Sequence, residues 1–200
     1  MLSSNESKHS TQNPLLRYAL RRFFVTINRL IPEVNTVLDA GCGEGYGARE
    51  ILKKHNKLQI IGTDLSFTAL KQVPLLAPEM PIFLSDVTQL PVAANSVDLV
   101  TSFEVMEHLP DPDRALEEYK RVSKRYIMIS VPNEPLFRLL RMARGDNIAQ
   151  WGNHPEHINH WNLVSLQRYM RNHGLRVIKA ASPPPFIWAI VLCEKDQSAS

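Results

Sequence analysis

Several groups of residues in this chain have types and spacings that could do chemistry together. The first is Asp39-Ala40-Gly41-Cys42-Gly43-Glu44-Gly45-Tyr46-Gly47, with glycines at alternate positions directly after an apolar run. Glycines placed between a strand and a helix let the backbone turn tightly and approach a ligand with no side chain in the way. About 25 residues on stands Gly62-Thr63-Asp64-Leu65-Ser66, where a carboxylate at a strand exit can accept hydrogen bonds from both ribose hydroxyls of a nucleoside. Ser85-Asp86-Val87 and Phe103-Glu104-Val105-Met106-Glu107-His108 follow later apolar runs. The last group, Trp151 to Trp161, holds His154, His157 and His160 between two tryptophans. Binding of a nucleoside-containing cofactor next to a second ligand is the chemistry these groups suggest.

The elements that must position them read as alternating strands and helices. Asn13 followed by Pro14 is a helix start, and Leu15, Leu16, Ala19, Leu20, Phe23, Phe24, Ile27, Leu30 and Ile31 continue it with helical spacing over residues 13–31. Strands are expected at 36–40, 58–63, 81–85, 97–103 and 126–131, with helices at 45–54, 66–73 and 112–124. Such alternation makes a doubly wound α/β fold, a mostly parallel sheet whose ligands bind at the carboxyl ends of its strands. A helix at 163–173 is followed by strands at 175–181 and 186–193, joined only by Ser182-Pro183-Pro184-Pro185. So short a connection cannot make a parallel crossover, so these two strands should pair antiparallel at the end of a seven-stranded sheet.

Val37-Leu38-Asp39-Ala40-Gly41-Cys42-Gly43-Glu44-Gly45 resembles motif I of the class I S-adenosylmethionine (SAM)-dependent methyltransferases. The stretch from Asn95 to Leu109 is similar to the methyltransferase type 11 group, which includes quinone-biosynthesis C-methyltransferases. The rival is a dinucleotide-binding loop, since Gly43-Glu-Gly45-Tyr-Gly47-Ala48 fits the relaxed form of that fingerprint. Counted from Gly41, its third glycine would fall on Tyr46, so the register favours SAM. The resemblance implies a Rossmann-like methyltransferase fold and a cofactor site made of Asp39, Gly41, Gly43, Gly45, Asp64, Leu65, Asp86, Val87, Phe103 and Glu104. Leu65 would lie against the adenine, and Asp86 near the adenine amino group.

The sulfonium of SAM already activates its methyl group, so the protein mainly has to align a nucleophile with the carbon–sulfur bond. His108, His157 and His160 are the candidate bases or catalytic contacts; Tyr18, Asn133, Trp151 and Trp161 are candidate substrate contacts. Residues 132–162 read as a substrate lid, and 13–31 as a helix capping the site. Three imidazoles can bind zinc, but the spacing of His154, His157 and His160 is not that of a zinc-binding helix and no cysteine is near, so no metal is expected.

Composition narrows the rest. The chain has 200 residues, 44% of them hydrophobic and 22% charged, which fits one globular domain at 13–200 after a polar tail at 1–12. A net charge of +3 is too small to imply nucleic acid. The residues after the fourth strand, Ser102-Phe103-Glu104-Val105, are not the Asn/Asp-Pro-Pro-aromatic set that enzymes acting on flipped bases use. A nucleic-acid methyltransferase and a non-catalytic SAM-binding protein on the same fold are therefore the alternatives to a methyltransferase for a small-molecule acceptor. Cys42 and Cys193 fall in buried segments, no apolar run reaches membrane-spanning length, and a cytoplasmic protein is expected. The basic N-terminal helix would admit transient contact with an anionic membrane, but packing over the site is the economical reading.

Overall fold

The computed structural model describes residues 13–134, 136 and 157–195. The expected tail, Trp151, His154 and much of the 132–162 segment lie outside the described residues.

Helix α1 (Pro14–Leu30) starts where Asn13 Oδ1 accepts hydrogen bonds from the Leu15 and Leu16 N–H groups, and it buries Ala19, Phe23 and Ile27 at four-residue intervals. Next come β1 (Thr36–Ala40), α2 (Tyr46–Leu52) and β2 (Gln59–Asp64). The single helix expected at 66–73 is instead two short ones, α3 (Phe67–Leu70) and α4 (Val73–Leu76). Pro74 has no N–H to continue the first helix, but it suits the opening turn of a second. The chain continues through β3 (Ile82–Leu84), β4 (Val97–Phe103), a 3₁₀ turn at Met106–His108, α5 (Pro112–Val122) and β5 (Ser123–Pro132). It ends in α6 (Leu163–Asn172), β6 (Leu175–Ala181) and β7 (Trp188–Lys195). β7 begins two residues later than expected because Phe186 has φ +68° and its N–H closes a turn onto the Pro183 carbonyl.

The seven strands lie in the order β3-β2-β1-β4-β5-β7-β6. β1 to β5 pair parallel, and β7 runs antiparallel to both β5 and β6, as the short proline connection requires. Both faces are covered. On one, Leu116, Tyr119 and Val122 of α5 and Leu166 and Met170 of α6 meet Leu38, Ile127, Ile129 and Val191. On the other, Phe23 and Ile27 of α1, Ala48 and Ile51 of α2 and Val73 of α4 meet Val37, Leu99, Met128 and Leu192. Alternate residues of β5 and β7 thus go to opposite layers, the period of two that a strand buried on both sides must have. Cys42 and Cys193 are both buried free thiols; burial is the main cause that pushes the latter up to about 12, so it stays protonated and inert. Among the described residues no helix is long and apolar enough to cross a membrane.

Candidate active site at the carboxyl ends of the strands

The glycine loop leaves β1 with Gly41, Gly43 and Gly45 all at positive φ (+82°, +55° and +88°). Its first two N–H groups, of Gly41 and Cys42, donate to the Thr63 carbonyl of β2 at 2.8 and 2.9 Å. At Gly41 a Cβ would lie 2.3 Å from Val105 Cγ2, so only glycine lets the loop close against the exit of β4.

Asp64 ties the loop down further. One carboxylate oxygen accepts the Gly43 N–H and the other the Ser66 N–H, each at 2.8 Å. A carboxylate offers about four acceptor positions, so two such bonds orient it and leave room for a ribose. Leu65 beside it is 72% exposed, as a residue facing a ligand would be. Asp86 accepts from the Thr88 N–H and hydroxyl in a tight turn, while the Val87 side chain is buried in the core beside it.

Asp39 lies beneath the loop, buried, with Thr101 of β4 donating its hydroxyl to Oδ1 at 2.9 Å. Burial raises its pKa to about 6, the Thr101 hydrogen bond opposes that, and the nearby Asp64 charge adds to it. Across the loop, Glu104 holds φ +58°, an uncommon value for a non-glycine residue. Ser130 of β5 donates to its Oε1 at 3.2 Å and the Trp188 indole N–H of β7 to its Oε2 at 3.0 Å. Phe23 of α1 packs on Trp188 (ring centroids 4.8 Å apart) and edge-on to Phe103 (6.0 Å), so α1 lies over this strand end. Tyr18 on the same helix is half exposed.

The histidines divide. His157 is buried and packs edge-on to His108 with ring centroids 4.9 Å apart, while His160 stays exposed. Two of the expected substrate contacts, Asn133 and Trp161, are also tied into the fold. Asn133 donates to Ser182 Oγ and the Phe186 carbonyl and accepts from the Leu163 N–H, tying the end of β5 to the β6–β7 turn and to α6. Trp161 accepts the Glu134 N–H on its carbonyl and packs its ring on Tyr169. Conversely, the sequence reading assigned no role to Thr101, Ser130, Glu107 or Trp188. Thr101 had one usable signal, being a polar residue in the buried middle of a central strand, and it is the register partner of Asp39.

A cavity of about 350 Å³ lies at the other end of the sheet, lined by Glu33, Asn35, Asp98, Lys124 and Tyr126 among others. These are the amino ends of β1, β4 and β5, away from the end at which parallel sheets bind ligands.

The chain and its fold have counterparts among known proteins. A family model described as a methyltransferase domain covers residues 13–180. The chain belongs to that family. A probable S-adenosylmethionine-dependent methyltransferase of Mycobacterium tuberculosis is 38% identical over 124 residues, 60% of this chain and 44% of that one. A malonyl-[acyl-carrier protein] O-methyltransferase of Laribacter hongkongensis is 36% identical over 97 residues, 43% of this chain and 33% of its own. The chain thus spans less than half the length of these curated relatives. Among solved structures, magnesium protoporphyrin IX methyltransferase of Synechocystis with bound SAH superposes with a TM-score of 0.67 at 15% identity, over 94% of this chain and 89% of that one. The agreement places this methyltransferase domain in the class I, Rossmann-like fold, with β7 as its antiparallel strand.

Proposed function

We propose that this methyltransferase domain, a single unit from residue 13 onward, binds SAM over the glycine loop and transfers its methyl group to a small-molecule acceptor. The observation that carries the reading is the loop itself: three successive positive-φ glycines whose backbone is fastened to Asp64. That arrangement holds an oriented carboxylate beside a loop whose glycines carry no side chain into the space a nucleoside would fill. Asp64 would accept the ribose hydroxyls, Leu65 would cover one face of the adenine, and Asp86 would approach its amino group. Asp39, Gly41, Gly43, Gly45, Phe103 and Glu104 would enclose the rest of the cofactor, Val87 through its backbone. The protein's main chemical task is then orientation of the acceptor in line with the sulfonium methyl, with α1 excluding water from above. His108 and His157 stand at the acceptor side. The names of the malonyl-[acyl-carrier protein] O-methyltransferase relative and of the protoporphyrin methyltransferase that shares the fold support a small-molecule acceptor without specifying one.

Calorimetry should give micromolar binding of SAM and of its demethylated product and none of NAD. Incubation with methyl-labelled SAM and a metabolite extract, read by mass spectrometry, should give one labelled small molecule. Tight NAD binding without SAM binding would reverse the cofactor reading, and label appearing only in nucleic acid would reverse the acceptor reading.

A further inference from the structure

The turn that follows β4 and the segment that precedes α6 meet over a cluster with no role in the cofactor site. Glu107, His108 and His157 each offer a ligand atom, and these atoms all lie within 4.8 Å of one another. Glu107 is 1% exposed and His157 8%, whereas the His108 side chain is 37% exposed at the rim. The arrangement is built rather than incidental. The Ile158 and Asn159 N–H groups both donate to the Glu107 carbonyl, at 3.0 and 3.1 Å. The Asn159 amide also donates to the Met106 and Leu109 carbonyls, at 3.2 and 2.7 Å. Four hydrogen bonds thus clamp the segment carrying His157 onto the turn carrying the other two groups, about 50 residues away in the chain.

We infer that Glu107, His108 and His157 form a binding site for one divalent cation of the zinc class. Two imidazoles and one carboxylate are a donor set suited to zinc and neighbouring transition metals and ill suited to magnesium, which demands six oxygens. Three protein ligands leave the fourth tetrahedral position open, the pattern of catalytic rather than structural zinc sites. Zinc–ligand bonds of about 2.0–2.2 Å place tetrahedral ligand atoms roughly 3.5 Å apart, so the three groups close by about an ångström when the cation enters. His160 is exposed and lies outside the cluster, which is why the even spacing of the histidines in the sequence pointed elsewhere.

The site adjoins the proposed cofactor pocket through Val105, which packs against Gly41 and whose carbonyl accepts the His108 N–H. Resting on the proposed function, a cation there would take an oxygen of the acceptor in its open position and lower the pKa of a hydroxyl. The acceptor class this selects is an oxygen nucleophile: a hydroxyl loses its proton to solvent, or a carboxylate is already ionised, and the oxygen–methyl bond forms as the carbon–sulfur bond of SAM breaks and the demethylated cofactor leaves as a neutral thioether.

The test is calorimetric titration of the full-length protein, freed of metal by a chelator, with Zn²⁺, paralleled by Co²⁺ and its visible ligand-field absorption. One cation per chain is expected. His108→Ala and His157→Ala should each weaken Zn²⁺ binding on the order of a hundredfold. Glu107→Gln, which keeps the volume of the buried side chain, should do the same, and His173→Ala should bind as the parent does. SAM titrations of the same samples report folding and the cofactor site independently. Absent or superstoichiometric Zn²⁺ binding with intact SAM binding, or equal binding by the His157→Ala protein, would overturn the cation site. Loss of SAM binding by the parent would overturn the proposed function and leave the cation result standing.

Discussion

Two carboxylates at opposite ends of the parallel strands are treated in opposite ways. Asp98, at the amino end of β4, accepts N–H bonds from Asn35, Thr36 and Lys124, all at 3.0 Å. Burial pushes its pKa up, but these hydrogen bonds outweigh it and hold the group well below the usual carboxylate range. Asp39, at the carboxyl end of β1, has one hydroxyl partner and a second carboxylate nearby, so burial dominates and its pKa rises to about 6. The amino end spends its charge on holding β1, β4 and β5 together. The carboxyl end keeps a poorly compensated charge beneath a glycine loop, an arrangement that lowers stability and suits a site awaiting a cationic ligand.

Breaking the carboxyl end sterically should have the largest effect. Gly41→Ala forces an L-residue to φ +82° and drives its Cβ into Val105. Left-handed strain and overpacking together should cost about 2–5 kcal/mol, read by denaturant unfolding. Gly174→Ala has similar strain at φ +75° but nothing within 4 Å, and it should cost about 1–2 kcal/mol. Combining Gly41→Ala with Val105→Ala should recover the difference between them. Equal costs for the two glycines would show that the loop does not depend on the close approach.

Asp39→Asn sharpens the contrast through pH. A carboxyl whose pKa is raised on folding contributes full stability below its unfolded pKa and loses it as pH rises through the folded value. The rise from the ordinary 3.8 to about 6 corresponds to about 3 kcal/mol, lost between roughly pH 4 and pH 6. At pH 7 the Asn protein without cofactor should therefore be the more stable by up to about 3 kcal/mol. The two proteins should converge near pH 4, while SAM affinity falls in the variant. Parallel stability curves from pH 4 to 7 would remove the poised carboxylate from the account.

At the amino end the sign reverses. A lowered pKa gives stability that is present above the unfolded value and lost as pH falls toward the folded one. Asp98→Ala should cost about 1.5–3 kcal/mol at pH 7, the scale of hydrogen bonds to a charged group, and less as pH drops below 4. SAM affinity should stay within about twofold, since the site lies at the opposite end of the sheet. A large loss of affinity would mean that the two ends are coupled.

What the sequence made legible follows the same division. The glycines, Asp64 and the strand alternation act locally, through φ preference and period, and so can be read from neighbouring residues. The strand pairing set by Ser182 to Pro185 was readable for the same reason, because a connection's length limits what it can join. Glu104 and Asp39 could be placed at strand exits, but their partners Ser130, Trp188 and Thr101 come from 26, 84 and 62 residues away. Only the register of the sheet brings those together. The pairing of His157 with Glu107 and His108 was hidden for that reason too, and the short helix that Pro74 opens went unread because the expected helix stopped at Val73, just before it.

The smallest effect on stability separates a ligand-facing apolar side chain from one that is merely exposed. Leu65 follows β2 beside Asp64 and is 72% exposed; Val164 on α6 is 64% exposed and far from the glycine loop in the topology. Neither has burial to lose, so Leu65→Ala and Val164→Ala should each change stability by no more than about 0.5 kcal/mol. Their effects on SAM should differ. A leucine covered by an adenine ring gains roughly 1.5 kcal/mol from the surface it shields, about a tenfold change in affinity, and valine on α6 gains nothing. Calorimetry at one pH and salt concentration reads both. A tenfold loss at Leu65 with none at Val164 would show that the exposed rim of β2 is kept apolar for the cofactor, whereas equal affinities would confine recognition to the glycine loop and Asp64.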